Sequence, residues 1–398
     1  MSAGFTILLW GVVLAVSAPA VLFAIETLAA FFPLRRPSAG APPSSVAVIV
    51  PAHNEGRHIV ATLHDLRAQL RPADRLIVVA DNCTDDTAAI AQECGAEVFV
   101  RTAPDHRGKG YALQYAIDCL RDAPPQCVVF FDADCRVGEG ALHYLAGVAS
   151  ATGRPAQALY IMNAPDGAGP GTGVSAFAWI MINRVRMTGL SNLFNVTRFT
   201  GAGLAAPWAL ISRLDFGAGD ITEDLVMTLK MALAGAPPIF APDAQVTSFF
   251  PTAQDASVTQ RARWEHGSLE IMARRAAPAM LRGILRADMK LLLLAADAMI
   301  PPLVALGAGL TLTAVLSVLA LGFAGPGPLV TVLTSMALFA LALVAGWARF
   351  GRAVLPPSQL SALAPFLLQK LKVYGRRGRA SSKTWTRTKR GDDGGEKR

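Results

Sequence analysis

Hydrophobic positions along this chain follow three successive regimes. Residues 5–34 are apolar apart from Glu26 and polar Ser/Thr, long enough for a helix to cross roughly 30 Å of hydrocarbon. From residue 46 to about 150, short β-rich runs at 46–52, 76–80, 97–100 and 128–131 alternate with helix-length stretches at 55–70, 85–94 and 108–121. That alternation predicts right-handed βαβ units, a mostly parallel α/β sheet, and ligands gathered beyond the strands' carboxyl ends. Polar clusters stand at those ends: His53-Asn54-Glu55, Asp81-Asn82 and Asp132-Ala133-Asp134. Two further apolar stretches, 298–323 and 329–347, are separated by the loop Gly325-Pro326-Gly327-Pro328.

Between these regimes the pattern is looser. Four glycines within 167–173 predict a mobile loop, and helical spacing over 174–193 predicts an amphipathic helix lying on a membrane. Thr222 reads as the N-cap of a helix through Ala234, and residues 259–275 as another helix. Pro301-Pro302 should kink or delay the first of the two later apolar helices, with Asp297 marking its interfacial edge. Residues 356–374 suit an interfacial amphipathic helix.

Composition sharpens the membrane reading. Of 398 residues 52% are hydrophobic and only 17% charged, too apolar for an ordinary soluble enzyme. The net charge of +8 resides in the tail, where residues 370–398 hold eleven Lys/Arg against three Asp/Glu. A basic run next to hydrophobic segments fits an anionic membrane surface, and no nucleic-acid-binding motif accompanies it. The inter-helix loop lacks Lys and Arg while Arg35-Arg36 and the tail are basic, which predicts an outside N-terminus and a cytoplasmic middle and tail. The expected organisation is an uncleaved N-terminal anchor at 1–36, a cytoplasmic α/β domain at 46–280, two transmembrane helices within 290–350, and an interfacial helix with a basic cytoplasmic tail at 354–398. The expected location is the cell's inner membrane, with several passes. Five cysteines, all between Cys83 and Cys135 and without a CxxC pair, read as free thiols in a reducing compartment.

Candidate chemistry sits at a few ordered positions. Asp132 and Asp134, two apart at a strand end, can share a divalent cation that also holds a nucleotide's phosphates; Mg²⁺ or Mn²⁺ suits such oxygen ligands. Asp81 could accept from a base N–H, whereas Asn82, Thr84 and Asp85 could simply build a turn and cap the next helix. Lys109, between Gly108 and Gly110, could reach a phosphate or stay a solvated surface lysine. Asp224 in Thr222-Glu223-Asp224 could be a general base or a helix cap. Gln260 and Trp264 fall on one helix face, with Arg263 able to counter diphosphate charge; a surface residue and a core anchor are the plainer reading.

As an ordered set these residues resemble the family 2 glycosyltransferases, in particular the membrane-bound branch with cellulose, chitin and hyaluronan synthases and ceramide glucosyltransferase. Val50-Pro51-Ala52-His53-Asn54-Glu55 is similar to that family's V-P-x-x-N-E, and residues 79–87 to its V-D-D-x-S-T-D-x-T. Gly108-Lys109-Gly110, Asp132–Asp134, Thr222–Asp224 and Gln260–Trp264 resemble its G-K-x, D-x-D, T-E-D and Q-x-x-R-W stations, and residues 199–205 its acceptor-side glycine motif. The resemblance covers 46–275 and implies a GT-A fold, a nucleotide-diphosphate sugar donor (UDP most often) and an inverting single displacement. It implies donor contacts from Pro51, Ala52, Asn54, Glu55, Asp81, Lys109, Asp132, Ala133 and Asp134, with the cation on Asp134 and Asp132. It places the acceptor beside Gly201, Ala202, Gly203 and Trp264, and catalysis on Asp224 with Glu223, Gln260, Arg263 and Trp264. Ala80 and Asn82-Cys83 depart from the family pattern and leave base selectivity less defined. Few spans favour a single transfer to a lipid-linked or membrane-held acceptor, in glycolipid or exopolysaccharide synthesis. A processive polysaccharide synthase with an export or assembly partner, and a non-catalytic nucleotide-sugar-binding scaffold, are the alternatives.

Overall fold

The computed structural model describes residues 2–165, 167–216, 223–250 and 271–373. Helix α1 (Ser2–Ala29) precedes β1 (Val46–Ala52), α2 (Ile59–Arg67), β2 (Arg75–Asp81), α3 (Thr87–Glu93), β3 (Glu97–Arg101), α4 (Lys109–Cys119) and β4 (Cys127–Phe130). Then come β5 (Arg136–Val137), α5 (Ala141–Thr152), β6 (Ala156–Asn163), α6 (Pro170–Ile180), a π-helical turn (Met181–Arg186) and α7 (Met187–Phe194). The domain closes with β7 (Leu204–Pro207), α8 (Trp208–Ile211), α9 (Glu223–Leu233) and β8 (Ile239–Phe249). Beyond it lie a second π-helical turn (Met272–Ala276), α10 (Ala277–Leu285), α11 (Met289–Ala298), α12 (Leu303–Leu319), α13 (Leu321–Ala324), α14 (Gly327–Gly346), a π-helical continuation (Trp347–Gly351), a 3₁₀ turn (Pro357–Ala362) and α15 (Leu363–Val373).

The strands form one eight-stranded sheet ordered β3-β2-β1-β4-β7-β6-β8-β5. Strands β1 to β4 pair in parallel as the βαβ pattern requires. The other half departs from the expected parallel sheet: β7 runs antiparallel to both β4 and β6, and β5 antiparallel to β8, while β6 and β8 are parallel. The βαβ alternation read from the sequence ends at β4, and β5 and β7, with two and four residues, are too short to carry a pattern of their own. Residues on each strand divide between two faces. Val46, Val48 and Val50 face one core with Ile59, Leu63 and Leu145; Ala47 and Ile49 face another with Leu113, Ile117 and Met231. Burying each such aliphatic side chain stabilises by about 1.5–3 kcal/mol, so register is strongly specified.

Residues 167–173 are not one loop, because Pro170 opens α6 and Gly173 packs tightly against the Val354 carbonyl. Nor does the helical run after it lie on the surface. Trp179 Nε1 donates to the Tyr160 carbonyl of the sheet at 3.1 Å, while Gly189 abuts α1. Among the described residues two helices are long and apolar enough to cross a membrane, Gly4–Ala29 and Gly327–Gly351. They pack on each other through Phe23 and Phe339, whose ring centroids are 5.3 Å apart. In the stretch expected to supply the other late span, Met289–Ala298 and Leu303–Leu319 form a pair bent by 81°, a third candidate if the pair is taken as one span. Pro301-Pro302 causes the break, and the 17 residues of α12 reach only about 25 Å. Asp297 is buried, 1% exposed, and pairs with Arg186.

Candidate active site

Parallel register brings the carboxyl ends of β1, β2, β3 and β4 to one edge. Asp81, the last residue of β2, lies opposite Arg101 of β3. Its Oδ1 accepts from Arg101 Nη1 at 2.5 Å and from Asn82 Nδ2 at 3.0 Å. The same guanidinium donates to the His106 carbonyl and lies over the Tyr111 ring. Following β1, Asn54 turns the chain with φ +55° and its Oδ1 accepts from the Thr84 amide at 2.8 Å. The Ala52 carbonyl is 3.5 Å from Cys83 Sγ, and the Glu55 amide donates to Thr87 Oγ1. Asp85 accepts from the amides of Thr87 and Gly56. Asn82, Thr84 and Asp85 therefore build the turn and cap α3, while Asp81 alone of that group presents its carboxylate beside the strand edge.

After β4 the chain runs through Asp132-Ala133-Asp134. Lys109, the first residue of α4, is no solvated surface lysine: its Nζ donates to Asp132 Oδ1 at 2.5 Å and to the Gly201 carbonyl at 2.7 Å. Below the loop, Thr62 Oγ1 lies 2.9 and 2.7 Å from the carbonyls of Ala133 and Cys135, fixing its path from α2. Ligand atoms of Asp132, Asp134 and Cys135 fall within 4.8 Å of one another. Cys135 is fully buried, and that burial together with the two aspartates pushes its thiol well up, so it stays protonated. The remaining donors are two partly exposed carboxylates, hard oxygen ligands that fit Mg²⁺ or Mn²⁺.

The segment expected on the acceptor side arrives from across the sheet. Antiparallel pairing of Phe130 with Leu204 sets Gly201–Gly203 beside the end of β4. Gly201 has φ +100°, and a Cβ there would stand 3.2 Å from Asp224 Oδ2 and 3.7 Å from Asp132 Oδ2. Glycine is thus required by both backbone and neighbours. Buried Gln157 donates to the Ala202 carbonyl at 2.7 Å and accepts from the Thr200 amide. Thr228 Oγ1 ties the Phe199 amide to the Asp224 carbonyl, each bond being 2.9 Å. Burial pushes the Asp224 carboxyl up; Lys109 opposes this and Asp132 adds to it.

Asp81, Lys109, Asp132, Asp134, Gly201 and Asp224 are thus gathered from five chain segments onto one sheet edge. Pro51 and Ala52 end the central strand β1 behind them. Thr222, Gln260, Arg263 and Trp264, with the helix expected at 259–275 up to residue 270 and the tail from 374, lie outside the described residues, as does the side chain of Glu223. Sequence reasoning missed Arg101, Thr62, Gln157 and Thr228. For Arg101 a signal existed: it ends the strand beside that of Asp81. The other three had none, being polar residues inside helices or strands that each reach a partner 29 to 73 residues away.

A model of the family described as glycosyltransferase-like family 2 matches residues 42–267, well over half of the chain. A 4,4'-diaponeurosporenoate glycosyltransferase of Staphylococcus aureus (strain bovine RF122 / ET3-1) is 38% identical over 93 residues, 23% of this chain and 24% of the relative. The counterpart in strain MRSA252 is 37% identical over the same shares. The match therefore spans about a quarter of the length of these curated relatives. A mannosyltransferase from Pyrobaculum calidifontis, solved in complex with GDP-Man and Mn²⁺, superposes with a TM-score of 0.50 at 22% identity, covering 88% of this chain and 98% of that one. That likeness carries the GT-A fold. The family match covers more than half of the sequence, and this chain belongs to the glycosyltransferase-like family 2.

Proposed function

We propose that the chain is a membrane-anchored inverting transferase that moves a sugar from a nucleotide-diphosphate donor, a UDP-sugar, to a lipid-linked or membrane-held acceptor. The observation that carries this reading is the meeting of Asp224, Asp132 and Lys109 around Gly201. In it, Asp81 receives the base, Pro51, Ala52, Asn54 and Glu55 frame the nucleoside, and Lys109 approaches the diphosphate. Asp134, with Asp132, holds Mg²⁺ or Mn²⁺, which when bound neutralises the departing diphosphate. Asp224 takes the acceptor hydroxyl's proton as that oxygen attacks the anomeric carbon; the carbon–diphosphate bond breaks with its electron pair leaving on the diphosphate. Glu223, Gln260, Arg263 and Trp264 complete the acceptor side with Gly201, Ala202 and Gly203.

Support for the membrane setting comes from the two span-length apolar helices and from their exposed faces, where Ile7, Leu8, Leu341 and Val344 meet solvent. Charge asymmetry favours a cytoplasmic catalytic domain at 46–280 and a cytoplasmic tail against anionic lipid. Relatives named for glycosyl transfer to 4,4'-diaponeurosporenoate favour a discrete acceptor over a growing polymer.

The test uses detergent-purified protein, a UDP-sugar panel, Mn²⁺ and membrane lipid extract. Asp224→Asn is expected to lower turnover about 10²–10⁴-fold with UDP affinity unchanged. Equal loss of UDP affinity would contradict the division of roles. Asp134→Ala is expected to abolish cation-dependent UDP binding by calorimetry; retained Mn²⁺ dependence would move the cation elsewhere. A product ladder on a gel would replace single transfer with processive synthesis and an export partner.

A further inference from the structure

A second group of charged side chains lies buried where α1, the α6–α7 helix and α11 meet. Glu26 and Asp297 are at most 1% exposed and Arg186 is 3% exposed. Arg186 makes the close contacts to both acids: Nε donates to Glu26 Oε2 at 2.8 Å, and Nη2 donates to the Asp297 carbonyl at 3.1 Å and to Asp297 Oδ1. Arg198 is the outer member. Its ion pair with Asp297 Oδ2 is 3.5 Å long, and it makes no other hydrogen bond among the described residues. That length is at the limit of a useful bond. A guanidinium carries five N–H donors, so a side chain only 13% exposed is left with most of its donors unspent. Two residues on, Thr200 Oγ1 is buried and also lacks a hydrogen-bond partner among the described residues.

The position of these spare donors matters. Arg198 leads directly into the segment that passes the reacting carboxylate: Phe199 is tied through Thr228 to Asp224, and Gly201 lies against it. Gly201 is three steps along the chain from Arg198, a backbone reach of at most about 10 Å. On the far side, the cluster is walled by α1, a span-length helix, and by the bent pair that begins at α11. An anionic group there would meet unspent, charge-assisted donors between the apolar helices and the general base.

We propose that Arg198, with Thr200, binds an anionic group, a carboxylate or a phosphate monoester, carried by the membrane-held acceptor near its reacting oxygen. The inference rests on the reading of Asp224 as base and of the acceptor as membrane-held, and adds that the acceptor is an anion. Arg186 already makes the close contacts that hold the cluster, so Arg198 is available for this task.

The test is the thermal stability of the full-length protein in a neutral detergent with three single-chain probes: dodecyl phosphate, dodecanoate and dodecanol. A ligand of the native state raises the midpoint in proportion to its occupancy. At least one anion is expected to stabilise the wild-type chain while dodecanol does not, and which anion does so separates phosphate from carboxylate. Arg198→Met is expected to weaken that binding about tenfold or more, and Arg198→Lys to retain part of it. Equal stabilisation by dodecanol, no stabilisation by either anion, or anion binding in Arg198→Met within twofold of wild type would each overturn the proposal; the probe comparison needs no variant to fold. Mn²⁺-dependent stabilisation by UDP is measured alongside. If UDP fails while anion binding follows Arg198, the donor reading falls and this site stands; the reverse pattern removes this site alone.

Discussion

At the scale of single residues, Asp224 sets the pH behaviour. Burial raises its pKa first, Lys109 lowers it and Asp132 raises it again. A general base works deprotonated, so turnover should rise as pH climbs through that raised value, placing the acid limb above the ordinary carboxylate range. Lys109→Met removes the opposing charge and should move the limb to higher pH in a kcat profile; an unmoved limb would detach Lys109 from Asp224. The same shift bears on stability. A carboxyl whose folded pKa exceeds its unfolded value contributes stability below the unfolded value and loses it as pH rises through the folded one. Asp224→Asn should therefore raise the melting temperature at neutral pH while lowering turnover, a pairing that calorimetry and UDP-release assays on the variant would check. Thr62 acts differently, through the path of the metal loop. Thr62→Val removes the donor to the carbonyls of Ala133 and Cys135 and should cost about 1–3 kcal/mol in denaturant unfolding.

At the scale of elements, the crossing of α1 and α7 is the tightest joint. A Cβ on Gly189 would stand 2.0 Å from the Glu26 carbonyl, a backbone atom that no rotamer change can move. Gly189→Ala should force the helices apart, at a cost of about 1–3 kcal/mol, and lower the melting temperature of the purified chain. An unchanged midpoint would mean that α1 is not held at this crossing. The π-helical turn at Met181–Arg186 belongs to the same joint, because it carries Arg186 to Glu26 and Asp297. Helical periodicity over 174–193 made that element legible. Which face met the sheet and which met α1 was not, because both neighbours are apolar and a periodicity names no partner.

At the scale of the whole molecule, sidedness is the open quantity that experiment can reach. Cys119 is exposed on the α/β domain. With that domain cytoplasmic, a membrane-impermeant maleimide should label Cys119 in inside-out vesicles but not in intact cells, with Cys119→Ser as the control. Labelling from the outside would reverse the topology drawn from the basic residues. The sheet's first half was legible in the chain because each βαβ unit carries its own alternating strand and its own helix. Its second half was not: β5 has two residues and β7 four, too short for a pattern.

What the chain's order of residues determined by itself is the set of candidate groups and the strand ends that present them, since both follow from local hydrophobic period and local turn chemistry. Asp81, Asp132 and Asp134 are where the alternation ends, and Asp224 is at a helix start. Only the tertiary structure decided that Lys109 meets Asp132, that Arg101 takes one oxygen of Asp81, and that Gly201 separates Asp132 from Asp224. The buried charge cluster is one such case, with Glu26 and Arg186 separated by 160 residues. Pairings at such distances depend on how the sheet and helices pack together. A local pattern holds no record of them, because it reports which face is apolar and not what that face will meet.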